Sequence, residues 1–156
     1  MSNDEIILTP DGLRSLELEL EDLKTVKRKE LAARIKMAIS YGDLKENSEY
    51  HSAKNDQSFM ETRILTIERM LKKARVVTNT DSSKVQVGST VILNDVEFAE
   101  KIEYKIVGTS EADVNENKIS YESPLGISLM NKKVGDTISV NAPMGVITYE
   151  LLEIKL

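Results

Sequence analysis

An α+β protein of two unlike halves is predicted for this chain of 156 residues: a long antiparallel α-helical coiled-coil hairpin over 1–78, then a small antiparallel β domain with one short helix over 79–156. Three observations predict it. Apolar residues recur at helical spacing on both sides of a short polar stretch, Tyr41 to Asn47. A polar run, Thr78-Asn79-Thr80-Asp81-Ser82-Ser83, then interrupts the pattern. Beyond it the apolar period falls to two, the mark of half-buried strands.

The first helix is expected from about Pro10 to about Ser40, with Thr9 as N-cap and Pro10 at the first helical position. At a rise of ~1.5 Å per residue it would run roughly 45 Å. Leu13, Leu16, Leu20 and Leu23 alternate spacings of three and four, as a coiled-coil seam does. The same register would next bring Lys27, Glu30 and Arg34 inward. The stripe is therefore expected to shift to Val26, Leu31, Ile35 and Ala38, a break in the heptad that changes the local supercoil. The return helix, from about Ser48 to Arg75, carries Ala53, Gln57, Met60, Ile64, Ile67, Leu71 and Ala74. Firm packing is expected at the base and weaker packing toward the tip.

In the second half, Val85 and Val87, then Ile102, Tyr104 and Ile106, then Ile138 and Val140 mark strands. Ile147, Tyr149 and Leu151 alternate, and Leu152, Ile154 and Leu156 continue in the opposite phase, which predicts a β-bulge between them. Ser123 to Met130 reads as a short helix with Ser123 as N-cap, Pro124 first and Asn131 as its stop.

Composition narrows the function classes. The chain has no cysteine, hence neither a disulfide framework nor a thiolate metal site, which suits a reducing cytoplasm. Met1-Ser2-Asn3-Asp4-Glu5 lacks the basic start of a signal peptide, and no apolar run reaches the ~20 residues that span a bilayer. A soluble cytoplasmic protein without a membrane partner is expected. Through Thr80 there are 14 Lys and Arg against 14 Asp and Glu, and 7 against 12 beyond it, so neither half has the basic excess of a stand-alone nucleic-acid binder. The first helix does hold a basic cluster of Lys24, Lys27, Arg28, Lys29, Arg34 and Lys36, a feature that is usually just a solvated helix face.

The tip carries the chemistry. Asp43 and Glu46 lie three apart, away from either seam, and Gly42 and Asn47 act as breakers against a continuous helix through them. In a tight turn two such carboxylates can converge on one hard cation, because Mg²⁺ accepts one or two protein carboxylates and keeps waters for the rest. Two are too few for a cage, so another molecule would have to complete the site. On spacing alone, ordinary turn and helix-start chemistry is the first reading and a metal-directed pair the second. His51 has no second His or Cys at ligand spacing and reads as a surface histidine rather than a zinc ligand.

The whole string Tyr41-Gly42-Asp43-Leu44-Lys45-Glu46-Asn47-Ser48-Glu49-Tyr50-His51-Ser52-Ala53-Lys54 resembles the signature of the bacterial Gre transcript cleavage factors, a family of transcription elongation factors. The likeness continues through Val26-Lys27-Arg28, Ile106-Val107-Gly108, Glu111-Ala112-Asp113, Lys118-Ile119-Ser120, Ser123-Pro124-Leu125 and Val134-Gly135-Asp136, in order along essentially the whole chain. The wording of the tip and His51 resemble the branch with the smaller basic surface, which favours short cleavage products from modestly backtracked complexes.

The resemblance implies a protein that is not itself an enzyme. It would bind bacterial RNA polymerase with its C-terminal domain at the rim of the secondary channel and pass the hairpin inward. There Asp43 and Glu46 would help hold a Mg²⁺ shared with the polymerase and position the water that cleaves backtracked RNA. No cofactor would be bound tightly in isolation, and the chain would be a monomer. By the same resemblance Lys24, Lys27, Arg28 and Lys29 are candidates to touch the nascent RNA 3′ end. Asp113, Ser123, Pro124 and Leu125 are candidates for docking, with turn and helix-cap chemistry as their plain alternative. The C-terminal domain of the family resembles the FK506-binding fold. Prolyl isomerase activity is disfavoured because this half has no Trp and only Phe98, Tyr104, Tyr121 and Tyr149 to line an apolar pocket. A channel-binding regulator that does not promote cleavage is the nearer rival, and retention of both tip acids argues against it. A plain coiled-coil dimerisation module would leave the acidic tip and the second half without a role.

Overall fold

The computed structural model describes residues 5–156; Met1 to Asp4, part of the segment read as unlike a signal peptide, lie outside the described residues. The chain separates into two compact units. One is Leu13–Lys73, a helical hairpin. The other joins residues 5–12 to Ala74–Leu156.

In the hairpin the outgoing arm is helical from Pro10 to Ser40 in three pieces: α1 (Pro10–Asp22), a π-helical turn (Leu23–Lys27) and α2 (Arg28–Ser40). The π turn is closed by the Arg28 amide donating to the Leu23 carbonyl, five residues back. It falls where the heptad breaks, and it explains how the chain crosses the break. A π turn takes in one extra residue, so eight residues rather than seven separate Leu23 from Leu31. Glu30 is thereby turned outward, and Leu31, Ile35 and Ala38 come to the seam. Val26, expected in the shifted stripe, sits inside the π turn itself and is 47% exposed.

The return arm, α3 (Ser48–Lys73), buries Ala53, Met60, Ile64 and Ile67 as expected. It stops two residues short of the expected end. Ala74, Arg75 and Val76 leave the helix to form strand β2, which pairs in parallel with β1 (Ile6–Leu8). Ala74 is therefore a strand residue. Near the tip, Ala38 and Ala53 are both fully buried; small side chains there bring the two helices close without a large apolar core.

Ion pairs run along the arms: Glu19 with Arg63 at 2.7 Å, Lys24 with Glu68 at 3.2 Å, Arg28 with Glu61 at 2.7 Å, and Arg34 with both Glu49 at 2.9 Å and Asp56 at 2.8 Å. The hydrogen bonds from Arg63 hold the Glu19 carboxyl below its ordinary value against a smaller opposing effect of burial. The unfolded chain therefore binds that proton at a higher pH than the folded one. The contribution of the pair is complete above the usual carboxylate range and disappears as pH falls through the depressed Glu19 value. Both partners are well exposed, so the loss is expected to be only about 0.2–1 kcal/mol. Helicity melts followed across acid pH should show a steeper decline for the native protein than for Glu19→Gln.

The second unit carries a five-stranded sheet in the order β5-β4-β3-β7-β6, with β3 (Thr90–Asp95), β4 (Glu100–Val107), β5 (Lys118–Ser120), β6 (Thr137–Ala142) and β7 (Gly145–Lys155). All neighbours are antiparallel except β4 and β5, which run parallel. The bulge lies where the phase change predicted it: Ile92 pairs with Glu153 and Leu93 with Leu151, leaving Leu152 as the extra residue. Val91, Leu93, Ile106, Leu129, Ile138 and Leu151 are the centre of the core. Val85 and Val87 are buried but belong to the loop before β3, not to a strand. Their alternation reflects two buried side chains on irregular backbone, of which Val85 joins the core.

The start of α1 is fastened inside this unit. Thr9 is its N-cap, its hydroxyl accepting from the Gly12 amide at 3.1 Å. Thr9 also donates through its amide, at 2.9 Å, and through its hydroxyl to the Glu111 carboxylate. A side chain at Gly12 would collide with that carboxylate, and one at Gly108 would collide with the Ile7 carbonyl. The two glycines admit the approach.

Candidate functional site

At the far end of the hairpin, α2 finishes at Ser40 and the chain turns through Gly42, whose φ is +79°, into Asp43, whose φ is +34°. Gly42 is the usual residue for a helix to leave by in the left-handed region. Asp is among the few side chains that tolerate it. The Glu46 amide then donates to the Asp43 carbonyl at 3.3 Å, closing a turn with one acid at each end. Asp43 and Glu46 line one open recess with Tyr41, Gly42, Asn47 and Ser48.

Both acids are exposed. The ion-paired carboxylates of the hairpin are Glu19, Glu30, Glu49, Asp56, Glu61 and Glu68, so the basic side chains along the arms leave the two tip acids uncommitted. Among the described residues no group of three or more His, Cys, Asp or Glu converges as a metal site. The donor set suits Mg²⁺ held through two carboxylates with its remaining ligands from elsewhere, and does not suit an autonomous site.

Two residues that support the acids carry more than the sequence reading gave them. Asn47, read there as a helix breaker, is the N-cap of α3: its Oδ1 accepts from the Tyr50 amide at 3.0 Å. Its Nδ2 reaches back to the Ala38 carbonyl at 2.6 Å. Asn directly before a Ser-Glu helix start is an N-cap signal, so half of this role was available from local sequence. His51, a surface residue as expected, donates from Nε2 to the Lys45 carbonyl at 3.1 Å; a carbonyl only accepts, so Nε2 carries the proton.

The four basic candidates divide. Lys24 and Arg28 are bound across the hairpin to Glu68 and Glu61, and Lys27 to Glu30 at 3.6 Å on its own arm. Hydrogen bonding to Glu61 raises the Arg28 pKa further. Lys29 is exposed and pairs with no acid among the described residues.

The docking candidates are brought to one end of the second unit's short helix or to a neighbouring turn. In α4 (Pro124–Leu129), Ser123 accepts from the Gly126 amide at 3.1 Å and donates to the Ser120 carbonyl at 2.7 Å, and Pro124 is the first residue. Asn131 ends the segment at φ +67°. Leu125 packs against the core, whereas Ile127 on the same helix is 64% exposed. Asp113 makes a tight backbone pair with Lys118 and accepts from the Asn115 amide at 3.0 Å. Among the described residues no helix is long and apolar enough to cross a membrane.

Comparison with known proteins gives a consistent result. Residues 6–76 match the family model "Transcription elongation factor, N-terminal", and residues 80–156 match "Transcription elongation factor, GreA/GreB, C-term". The chain is 51% identical over 156 residues to the transcription elongation factor GreA of Acetivibrio thermocellus, covering 99% of this chain and 98% of the relative. It is 55% identical over 151 residues to GreA of Clostridium acetobutylicum, covering 96% of each. Among solved structures it is similar to GreA factor homolog 1 of Thermus thermophilus, with 28% identity over 97% of this chain and 99% of that one and a TM-score of 0.44.

Proposed function

Because the chain belongs to the GreA/GreB family of transcription elongation factors, we propose that it works as a carrier of two carboxylates into the active centre of RNA polymerase. It is not an enzyme by itself. It stimulates the polymerase to hydrolyse a phosphodiester near the 3′ end of backtracked RNA, so that a stalled complex resumes elongation. The observation that carries the mechanism is the pair Asp43 and Glu46, held at the two ends of one exposed turn and left out of every ion pair along the arms.

In this reading Asp43 and Glu46 would hold a Mg²⁺ whose other ligands would come from the polymerase. When bound, that ion supplies Lewis-acid polarisation and a more acidic water. The chain's own part is positional. The turn presents both carboxylates outward, and their free oxygens can accept hydrogen bonds from an incoming water and fix its orientation. Lys29, without an acid partner among the described residues, is the best placed of the basic candidates to meet RNA; Lys24, Lys27 and Arg28 already have their charge matched. Docking falls to the second unit, around α4 and the Asp113 turn, at the rim of the secondary channel. The protein acts in the cytoplasm and as a monomer.

The test is a purified cognate polymerase halted in a backtracked complex with 3′-labelled RNA. Addition of the protein with Mg²⁺ should release short labelled fragments far faster than the polymerase alone. An unchanged cleavage rate with demonstrable binding would favour the rival, a channel occupant without cleavage activity.

A further inference from the structure

The backbone at the tip is unusual for residues that must present side chains accurately. Asp43 is a non-glycine residue at positive φ, and Gly42 before it is also at positive φ. Such a conformation persists where the surroundings over-determine it. The turn's own closing bond, Glu46 to Asp43 at 3.3 Å, is long. The stronger restraint comes from one side chain. Asn47 Nδ2 donates to the Ala38 carbonyl at 2.6 Å and lies 3.4 Å from the Gly42 carbonyl, while Oδ1 accepts from the Tyr50 amide at 3.0 Å. One planar amide thus ties the last turn of α2, the residue before Asp43 and the first turn of α3.

We propose that Asn47 is a positioning residue for transcript cleavage: its amide clasps the two helix ends so that the Asp43–Glu46 turn is held in the shape that lets both acids act together. This rests on the reading of those acids as the catalytic pair. Its content is that the donor side of the amide matters, beyond the helix cap supplied by the acceptor side. An N-cap needs only an acceptor oxygen, and Ser and Asp provide one nearly as well as Asn. Neither can supply the amide donor that reaches Ala38. His51 adds a further restraint at Lys45, in the middle of the same turn.

The experiment compares Asn47→Ser and Asn47→Asp with native protein and with Asp43→Ala in the backtracked-complex assay. Factor concentration is varied, so that the half-saturating concentration and the maximal cleavage rate are read separately. Helicity is measured on each variant. The expected result is native helicity, a half-saturating concentration within about twofold of native, and a maximal rate lower by roughly 10–100-fold for both Asn47 variants, the usual cost of removing a group that orients a ligand. Asp43→Ala serves as the control on the premise. If it abolishes cleavage while both Asn47 variants keep the native maximal rate, the clasp is overturned and Asn47 is a helix cap only. If the Asn47 variants lose helicity, the residue maintains the fold and the proposal is likewise overturned. If Asp43→Ala cleaves at the native rate, the reading of the tip as catalytic fails first, and the proposal with it.

Discussion

Asp43→Ala and Glu46→Ala are each expected to lower the maximal rate of stimulated RNA cleavage by about 100-fold or more, the scale on which removal of one preorganised electrostatic group acts, with polymerase binding retained. The separation of the two effects follows from the architecture. Both acids are exposed at the tip and, among the described residues, make no ion pair that the hairpin depends on, so their removal should leave α2 and α3 intact. The double variant should be no worse than about the weaker single one, because two ligands of one ion act as a unit. Fragment release from labelled RNA measures the rate, and competition against labelled native protein measures binding. Full cleavage by the double variant would sink the metal-tip mechanism. Lost binding with an intact fold would make the tip a docking element instead.

Gly126→Ala is expected to produce the complementary defect: weakened polymerase binding with the hairpin unchanged. A methyl group at this buried glycine would collide with the Ser120 carbonyl oxygen. That oxygen already accepts from the Ser123 amide at 3.0 Å and the Ser123 hydroxyl at 2.7 Å. The added carbon must push α4 away from β5 and break the cap that starts it. Overpacking of this kind costs about 1–3 kcal/mol, a fall of roughly 5–20 °C in the melting of a unit this size. Thermal unfolding followed by near-ultraviolet circular dichroism would report on the second unit, and helicity on the hairpin. A variant of native stability and native affinity would mean that α4 can shift freely, and would remove it from the docking surface.

Much of this fold was readable along the chain. The cap at Thr9, the proline start at Pro10, the seam from Leu13 to Leu23, the Ser123 cap and the bulge at Leu152 all depend on residues within a few positions of one another. The heptad break was legible as a conflict, since Lys27 and Glu30 could not occupy a seam. Its resolution by a π turn was not, because absorbing one extra residue and shifting to Val26 both satisfy the pattern locally. The candidate site was legible in part. Two acids flanked by Gly42 and Asn47 announced a turn, and only the longer string gave that turn a chemical meaning.

Sequence by itself determined the two unlike halves, the hairpin and its acidic end, since helical and strand periods, caps and breakers are properties of near neighbours. Tertiary structure alone decided the rest. Strands β1 and β2 are three residues each, too short to carry a pattern, and exist because Ile6–Leu8 meets Ala74–Val76 where the return arm comes back to the base of the hairpin. Val85 is buried by the core that closes around it rather than by a strand of its own. Lys24 and Arg28 have their charge matched by acids more than thirty residues away, across the arms. Asn47 became more than a breaker only when the Ala38 carbonyl came within reach of its amide. In each case the deciding partner lies outside the local pattern and close in space, and that pattern holds no record of it.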